Sequence, residues 1–528
     1  MRSLRLALPL VLASSFVLGP ACHKGNTASG EHPRTGRKTK KKTPKVQLPD
    51  PLPLPAEPKA AAYLAQPQGA VDLLSPYSPY PLQIRGLIQL ALGRVTNPTL
   101  AEQLATAVDP EGTFSNVVLE GREEVIRLSI APESAKDLAA ELAKLEAVGE
   151  FGAVRLPSAD GGGGSEGKPA RAREWLAWID AEDGGALVIA NSLPGLVTGR
   201  ELKQVYGQRD VFFTANLASL PLPAEIAGEI PFAHVEGRGD LSKVELILEA
   251  KEGVDPLAGF PIAPGTLGGL LDGPDITAGA STTYADYDSA VREVIVEVNS
   301  QVKALPFLVR GIGENLAAKL NTVLRSWDGR VLVALGPSGH LRVAYGAKDV
   351  DNSRVAMIRL IQAVVENVEV GRKFMSQLPR LSFRRRVAKG DGNDVELFVI
   401  HEATNKVPPE LRGLVDGKGR LNVAMSWSER AGGGMFVVGP QAEAELARWL
   451  DETKGSASGK DTRELLASAT FAGDAEALKT LVSSAEPDLG AILQMAASGP
   501  KWSVSAREQS PGVYAVELRT PAKPARAK

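Results

Sequence analysis

One order of short segments, met twice along the chain, constrains its folding more than any single motif. In the first half Ile126, Leu128 and Ile130 alternate with Arg127 and Ser129, the two-residue period of a half-buried strand. A helix follows from Asp137 to Val148, with Leu138, Leu142 and Leu145 on one face. In the second half Val331, Val333 and Leu335, then Leu341, Val343 and Tyr345, form two alternating strands across the turn Gly336-Pro337-Ser338-Gly339. Val355, Ile358, Ile361, Val365 and Val368 then line a helix.

The recurrence continues in register. Leu128 maps on Val343, Glu174-Trp175-Leu176-Ala177-Trp178 on Glu396-Leu397-Phe398-Val399-Ile400, and Ala186-Leu187-Val188-Ile189 on Met435-Phe436-Val437-Val438. Arg209-Asp210-Val211-Phe212 maps on Arg463-Glu464-Leu465-Leu466, and Val235, Arg238 and Val244 map on Val504, Arg507 and Val513. Matches that never cross point to one unit duplicated in tandem. Their growing separation places insertions in the second copy, chiefly near residues 401 to 434. Helical segments open both copies, Pro81 to Arg94 answering to Ser289 to Ser326. Adjacent strands with tight turns followed by helices predict an α+β fold: two tandem-duplicated lobes of antiparallel sheet covered by helices on one face. The expected lobes are 58–255 and 256–520, with a disordered tail over 521–528. Hydrophobic residues make up 44% and charged residues 23% of the 528, enough apolar material for two such cores.

The N-terminus is of another kind. Arg2 and Arg5 precede an apolar run from Leu6 to Leu18, and small residues Gly19 and Ala21 precede Cys22. This is the layout of a signal peptide, 1–21, and the run is too short for a spanning helix. Cys22 is the only cysteine, so no disulfide can form within the chain. Leu18-Gly19-Pro20-Ala21-Cys22 resembles the lipobox of bacterial envelope lipoproteins, although Leu stands four rather than three positions before the Cys and Pro20 occupies a place usually small or polar. The resemblance covers these residues alone. It implies a diacylglycerol thioether and palmitate on Cys22, and an exported, lipid-anchored protein. With His23 rather than Asp next, it also implies anchoring on the periplasmic face of the outer membrane.

Residues 22–57 are expected to form a disordered basic and proline-rich tether. Lys24, Arg34, Arg37, Lys38, Lys40, Lys41, Lys42 and Lys45 lie among Gly, Thr and Ser, followed by the proline alternation Leu48-Pro49-Asp50-Pro51-Leu52-Pro53-Leu54-Pro55, an extended spacer. Two readings stand for the basic run: contact with an anionic envelope surface, at about 1 kcal/mol per basic residue near the charges, or a solvated linker. Across the chain 60 Lys and Arg nearly balance 62 Asp and Glu. The basic excess sits before residue 46, leaving a mildly acidic body that repels phosphate backbones, so no nucleic-acid partner is expected.

No motif for chemistry survives. Gly162 to Lys168 has the spacing of a phosphate-binding loop, but Pro169 stands where Ser or Thr must hold magnesium, so this is a glycine-rich connection. His401-Glu402 begins like a zinc-protease helix, yet Asn405 replaces the second histidine. His234, His340 and His401 are scattered. Gly336-Pro337-Ser338-Gly339-His340 ends in His where a nucleophile elbow needs Gly. Ser165-x-x-Lys168 and Ser300-x-x-Lys303 lack the companion elements of penicillin-binding enzymes. Asp391, Asn393 and Asp394 around Gly392 make a polar hairpin turn rather than a calcium loop. No catalytic, cofactor-binding or metal-binding residue is assigned, no cofactor is expected, and Cys22 is the one site. The expected role is a non-catalytic envelope protein that binds, supports or positions another envelope component. Open alternatives are an exported hydrolase with a site assembled from dispersed residues and a carrier of an apolar ligand between the lobes.

Overall fold

The structure, a computed structural model, describes residues 48–54, 58–74, 83–119, 123–149, 152–158, 174–180, 185–206, 210–217, 230–240, 242–258, 262–271, 276, 278–336, 339–373, 377–405, 407, 409–453, 465–471 and 502–520. Cys22, the signal peptide, the basic run, the glycine-rich connection and the C-terminal tail lie outside the described residues. The chain divides into two compact units between Pro256 and Leu257.

The first unit begins with β1 (Ala60–Leu64) and helices α1 (Pro67–Leu74), α2 (Ile84–Leu92) and α3 (Pro98–Ala107). Strands β2 (Phe114–Val118) and β3 (Glu124–Ser129), helix α4 (Ala135–Leu142) and strands β4 (Ala147–Val148), β5 (Ala153–Arg155), β6 (Leu176–Asp180) and β7 (Ala186–Ala190) follow. Helix α5 (Leu193–Tyr206) leads to β8 (Val211–Asn216), β9 (Phe232–Asp240) and β10 (Lys243–Ala250). All pairings are antiparallel, in the order β4-β5-β6-β7-β3-β2-β1-β8-β9-β10.

The second unit runs β11 (Ala278–Thr283), α6 (Tyr287–Ala304), α7 (Phe307–Ser326), β12 (Trp327–Leu335), β13 (Leu341–Ala347) and α8 (Val350–Arg372). It continues through β14 (Leu381–Gly390), β15 (Asn393–Ile400), β16 (Leu421–Ser428), β17 (Gly433–Val438), α9 (Ala442–Glu452), β18 (Leu465–Phe471), β19 (Trp502–Ser510) and β20 (Val513–Arg519). Its pairings are again antiparallel, in the order β14-β15-β16-β17-β13-β12-β11-β18-β19-β20. The protein is therefore an α+β fold of antiparallel sheet and helices.

Helices cover both faces of each sheet, not one. Along β3, Ile126 and Leu128 pack with Ile88, Leu104 and Leu138 of α2, α3 and α4, whereas Val125 packs with Leu196 and Leu202 of α5. Along β16, Met425 and Trp427 join Ile358 of α8, and Ala424 joins Leu446, Trp449 and Leu450 of α9. Successive strand residues point to opposite faces, so these contacts set the helices on opposite sides. The half-buried reading of β3 is corrected accordingly: Arg127, the apparent solvent-side residue, is only 2% exposed.

Two side-chain networks seat the helices of the second unit. Arg342 on β13 is fully buried; its Nη2 and Nε donate to Glu445 Oε1 of α9 at 2.5 and 3.2 Å, and its guanidinium lies 5.3 Å from the Trp449 ring centroid. On the other face Tyr345 OH meets Ser353 Oγ of α8 at 2.8 Å and accepts from Trp427 Nε1 at 2.9 Å, with Trp327 stacked at 4.2 Å. A Cβ on Gly434 of the neighbouring β17 would fall 2.4 Å from the Tyr345 ring, so only glycine lets the ring lie there.

The proline-rich stretch is not wholly a free spacer. Leu52 and Leu54 pack against the core beneath α5, and Thr198 Oγ1 donates to the Leu52 carbonyl at 3.1 Å. A chain already held extended by proline loses little further entropy on docking, which lets two leucines hold it.

Burial pushes the Glu445 carboxyl up, but the hydrogen bond and charge of Arg342, followed by those of Arg448, outweigh it and hold the pKa below the ordinary carboxylate value. The stabilisation is complete above the pKa of the unfolded chain and is lost as pH falls through the lowered folded value. Glu445→Ala leaves the buried guanidinium with only the more distant Glu452 carboxylate, 3.6 Å from Nη1, and should cost the second unit about 3 kcal/mol. Urea unfolding checks this: most of the loss should return in Arg342→Met/Glu445→Leu, and a single mutant as stable as wild type would refute the role of the pair.

Candidate functional site

A dense cluster of charge in the second unit is built by a bulge in β14. Arg384 pairs with Leu397 and Ala388 with Val395, so Arg385, Arg386 and Val387 stand opposite Glu396 alone. Arg386 takes φ 55°, a left-handed conformation that turns the strand outward. Its backbone N–H, displaced from the ladder, donates to Glu396 Oε2 at 3.1 Å.

Glu396 organises what surrounds it. Its side chain is fully buried, and Oε1 lies 3.3 Å from Arg354 Nη2 of α8 and 3.7 Å from Arg385 Nε. Asp394, on the same face of β15, places Oδ2 at 3.0 Å from Arg386 Nε and 3.7 Å from Arg354 Nη2, while Lys389 Nζ is 3.9 Å from its Oδ1. Four cations thus surround two carboxylates. Arg385, Arg386 and Lys389 remain 51%, 71% and 72% exposed in their side chains. Arg384 is exposed as well, and β15 is the neighbour with which β14 pairs among the described residues. The result is a solvent-facing cationic ledge on an outer strand. Guanidinium groups held in this way suit phosphate or carboxylate groups, and the same charges oppose addition of another strand.

A smaller candidate lies in the first unit, where Ile88, Leu92, Phe114, Ile126 and Leu128 line a pocket with Arg94 and Asn116. Arg94 Nη2 pairs with Glu124 Oε1, which also accepts from Asn116 Nδ2 at 3.3 Å. The pocket thus sets an apolar lining beside an ion pair, and Asn116 Oδ1 is buried there without a hydrogen bond.

Of the residues singled out by motif, Asp394 belongs to the ledge, and the other described ones sit outside both places. Cys22, Gly162 to Pro169 and Ser338 lie outside the described residues. Gly336 and Gly339 shape a hairpin turn, and the chain continues into strand β13 where a nucleophile elbow would continue into a helix. His340 is buried with Nε2 on the Pro440 carbonyl, and His234 Nε2 meets Thr214 Oγ1 at 3.1 Å. His401 follows the end of β15 with Nε2 3.0 Å from Ser382 Oγ; burial, then the charges of Arg380 and Arg420, lower its pKa. Ala403–Asn405 is a single 3-10 turn, so positions 401 and 405 share no α-helical face. Ser300 and Lys303 are exposed near the end of α6. Asp391 and Gly392, at φ 45° and 79°, form the two-residue turn of the β14–β15 hairpin, as the polar-turn reading expects. Asp391 Oδ2 lies 3.5 Å from Arg430. Among the described residues no three His, Cys, Asp or Glu side chains gather as a metal site.

Sequence reasoning missed the ledge. The signal was present in Arg384-Arg385-Arg386 and in the alternation of Asp394 and Glu396 just past a tight turn. No family model, curated protein or solved structure matches the chain.

If the ledge takes anionic groups, Arg385→Ala/Arg386→Ala in the full chain should elute from phosphocellulose at lower salt than the parent, since each lost phosphate contact reduces salt-dependent affinity. Unchanged elution would leave edge protection as its use.

Proposed function

We propose that the protein is a non-catalytic, lipid-anchored component of the bacterial cell envelope whose two-unit body binds, supports or positions another envelope component. The observation that carries this reading is Cys22, the sole cysteine, placed directly after an export-signal pattern. The docking of Leu52 and Leu54 supports it, because the chain then leaves the body near Leu48. About 26 residues separate that point from Cys22, a reach of at most about 90 Å when extended and nearer 30 Å as a flexible coil. The body would stay within a few nanometres of the bilayer. The cationic ledge supports a partner bearing phosphate or carboxylate groups, a function added to that proposed for the basic tether.

We infer further that the two units are one fold duplicated in tandem. In support, strands β1 to β10 and β11 to β20 have the same order across their sheets, place for place. Helices interrupt both series after the first, third and seventh strands. Four of the five sequence matches fall on strands of equal rank. The match of Glu174–Trp178 to Glu396–Ile400 does not: it joins β6 to β15, whereas the strand of equal rank is β16. Strands β4 and β5 have only two and three residues, against ten and eight in β14 and β15, so the match slips by one strand. The extra length of the second unit then falls in the α8 connection, the β14–β15 hairpin and the connections on either side of β18, rather than in residues 401 to 434. Arg127 and Arg342 share rank and register, and both are buried.

Metabolic labelling with a fatty-acid analogue, followed by membrane fractionation, tests the anchor. Wild type should carry label and sediment with membranes; Cys22→Ser should lose both, since several acyl chains at about 0.8 kcal/mol per methylene hold stably where one does not. A mature wild-type protein without label overturns the lipid-anchor reading.

A further inference from the structure

The α6–α7 hairpin ends in an apolar tip that the fold leaves uncovered. Helix α6 packs on α7, α7 packs on α8, and the chain turns between them at Leu305-Pro306. Val302 is buried inside this turn, and Gly313 makes room for it: a Cβ there would come within 2.9 Å of Leu305 Cδ1. Packing of the turn is thus complete without the residues outside it. Even so, Phe307 is 86% exposed, and Leu305, Val309 and Ile312 are exposed beside it. A lone exposed apolar side chain is ordinary; four within eight residues at one turn are a concentration that asks for a partner.

Charge identifies the partner. From Val298 to Gly313 the chain has no acidic residue, whereas Lys303 and Arg310 flank the patch. The first turn of α7 has no Asp or Glu, where the helix dipole would favour one. Arg310 Nη2 donates to the Leu305 carbonyl at 3.3 Å, which folds that cation back beside the tip. An aromatic and aliphatic tip flanked by two cations, with the nearest acids at Glu297 and Glu314, complements the headgroup and acyl boundary of an anionic bilayer. The corresponding helices of the first unit are different. There Ile84, Ile88 and Leu92 of α2 are buried in the core, and α2 and α3 span only 9 and 10 residues against 18 and 20 in α6 and α7.

We propose that the α6–α7 tip inserts shallowly into an anionic phospholipid bilayer, with Leu305, Phe307 and Val309 entering the acyl boundary and Lys303 and Arg310 meeting headgroup phosphates. The contact is separate from the lipid on Cys22, and the proposed tether would raise its frequency by holding the body near the surface.

The test uses the full chain carrying Cys22→Ser, so failure of the tip and failure of the lipid anchor are read separately. With the only native cysteine removed, Phe307→Cys provides a single thiol for an environment-sensitive fluorophore. Emission should shift to the blue on phosphatidylglycerol vesicles, far less on phosphatidylcholine vesicles, and not at all when the label sits on Thr322→Cys near the opposite end of α7. Phe307→Ser, at a position 86% exposed, should leave thermal unfolding unchanged and weaken vesicle binding about tenfold or more. Lys303→Glu/Arg310→Glu should abolish the preference for phosphatidylglycerol. Binding to vesicles with no shift at position 307 would assign the attraction to the basic N-terminal run and overturn the proposal. A shift that grows with protein concentration in the absence of vesicles would overturn it in favour of contact between copies of the chain.

Discussion

A sheet sealed by helices on both faces leaves its inner strands no side on which to place a polar residue freely. All five residues of β7, Ala186–Ala190, are fully buried, and β3 is buried along nearly its whole length. Polar side chains within such a layer must bring their own partners, because an unpaired buried group costs more than its hydrogen bond returns. Several such groups carry a partner of their own. Ser281 Oγ donates to the Val331 carbonyl and accepts from Leu267 N–H; Asp180 holds Arg200 at 3.1 Å; Glu445 holds Arg342. Two of these pairs also fix a helix. Arg200 reaches from α5 to a strand carboxylate and lies 5.3 Å from Trp178, whereas Arg342 reaches from a strand to a carboxylate and a Trp on α9. The same arginine, carboxylate and indole set serves both units with the cation moved from helix to strand.

The constraint relaxes where the layers end, and there charge and apolar surface become available. At the β14 edge a bulge turns arginines outward while Glu396, buried beneath them, compensates the displaced backbone N–H and part of the cationic charge. A buried carboxylate under exposed guanidiniums orients them at the cost of neutralising some of their field, which is why the excess of cations over carboxylates matters more than their number. At the α6–α7 turn the opposite occurs: apolar residues, Phe307 foremost, meet solvent.

These same physical rules explain what could be read from the residues and what could not. Alternation in Leu341–Ala347 and the turn before it were legible because a hairpin imposes its period directly on the sequence. The antiparallel α+β character followed from such pairs. Coverage of both faces was not legible, since Arg127 in an alternating strand looks like a solvent-side residue, and only a tertiary structure reveals a buried arginine. Strands as short as β4 and β5 carry no period at all, so a match made by pattern passes over them. The ledge escaped for a related reason. Arg384-Arg385-Arg386 reads locally as a solvated run, and its organisation depends on a register shift and on Glu396, ten residues beyond Arg386, neither of which has a local signature. Histidine and serine motifs drew attention because they are compact in sequence, whereas the charged groups that meet in space come from α8, β14 and β15.

A proposed anchor joined to the body by the proposed tether would fix distance but not orientation. A single tethered body can rotate through most attitudes, presenting any face to the bilayer for part of the time. A second, weaker contact on the body changes that, because the tether has already met most of the entropic cost of association and even a small apolar insertion then selects one attitude. The orientation chosen decides which other surface faces away from the membrane and toward soluble or neighbouring components. A tip that combines Phe307 with Lys303 and Arg310 selects by both apolar depth and headgroup charge, while the Arg385–Arg386 ledge selects by charge alone. The two surfaces therefore differ in salt dependence: screening weakens an arginine ledge steeply, whereas insertion of an aromatic ring persists, and rising ionic strength shifts the balance from the ledge toward the tip.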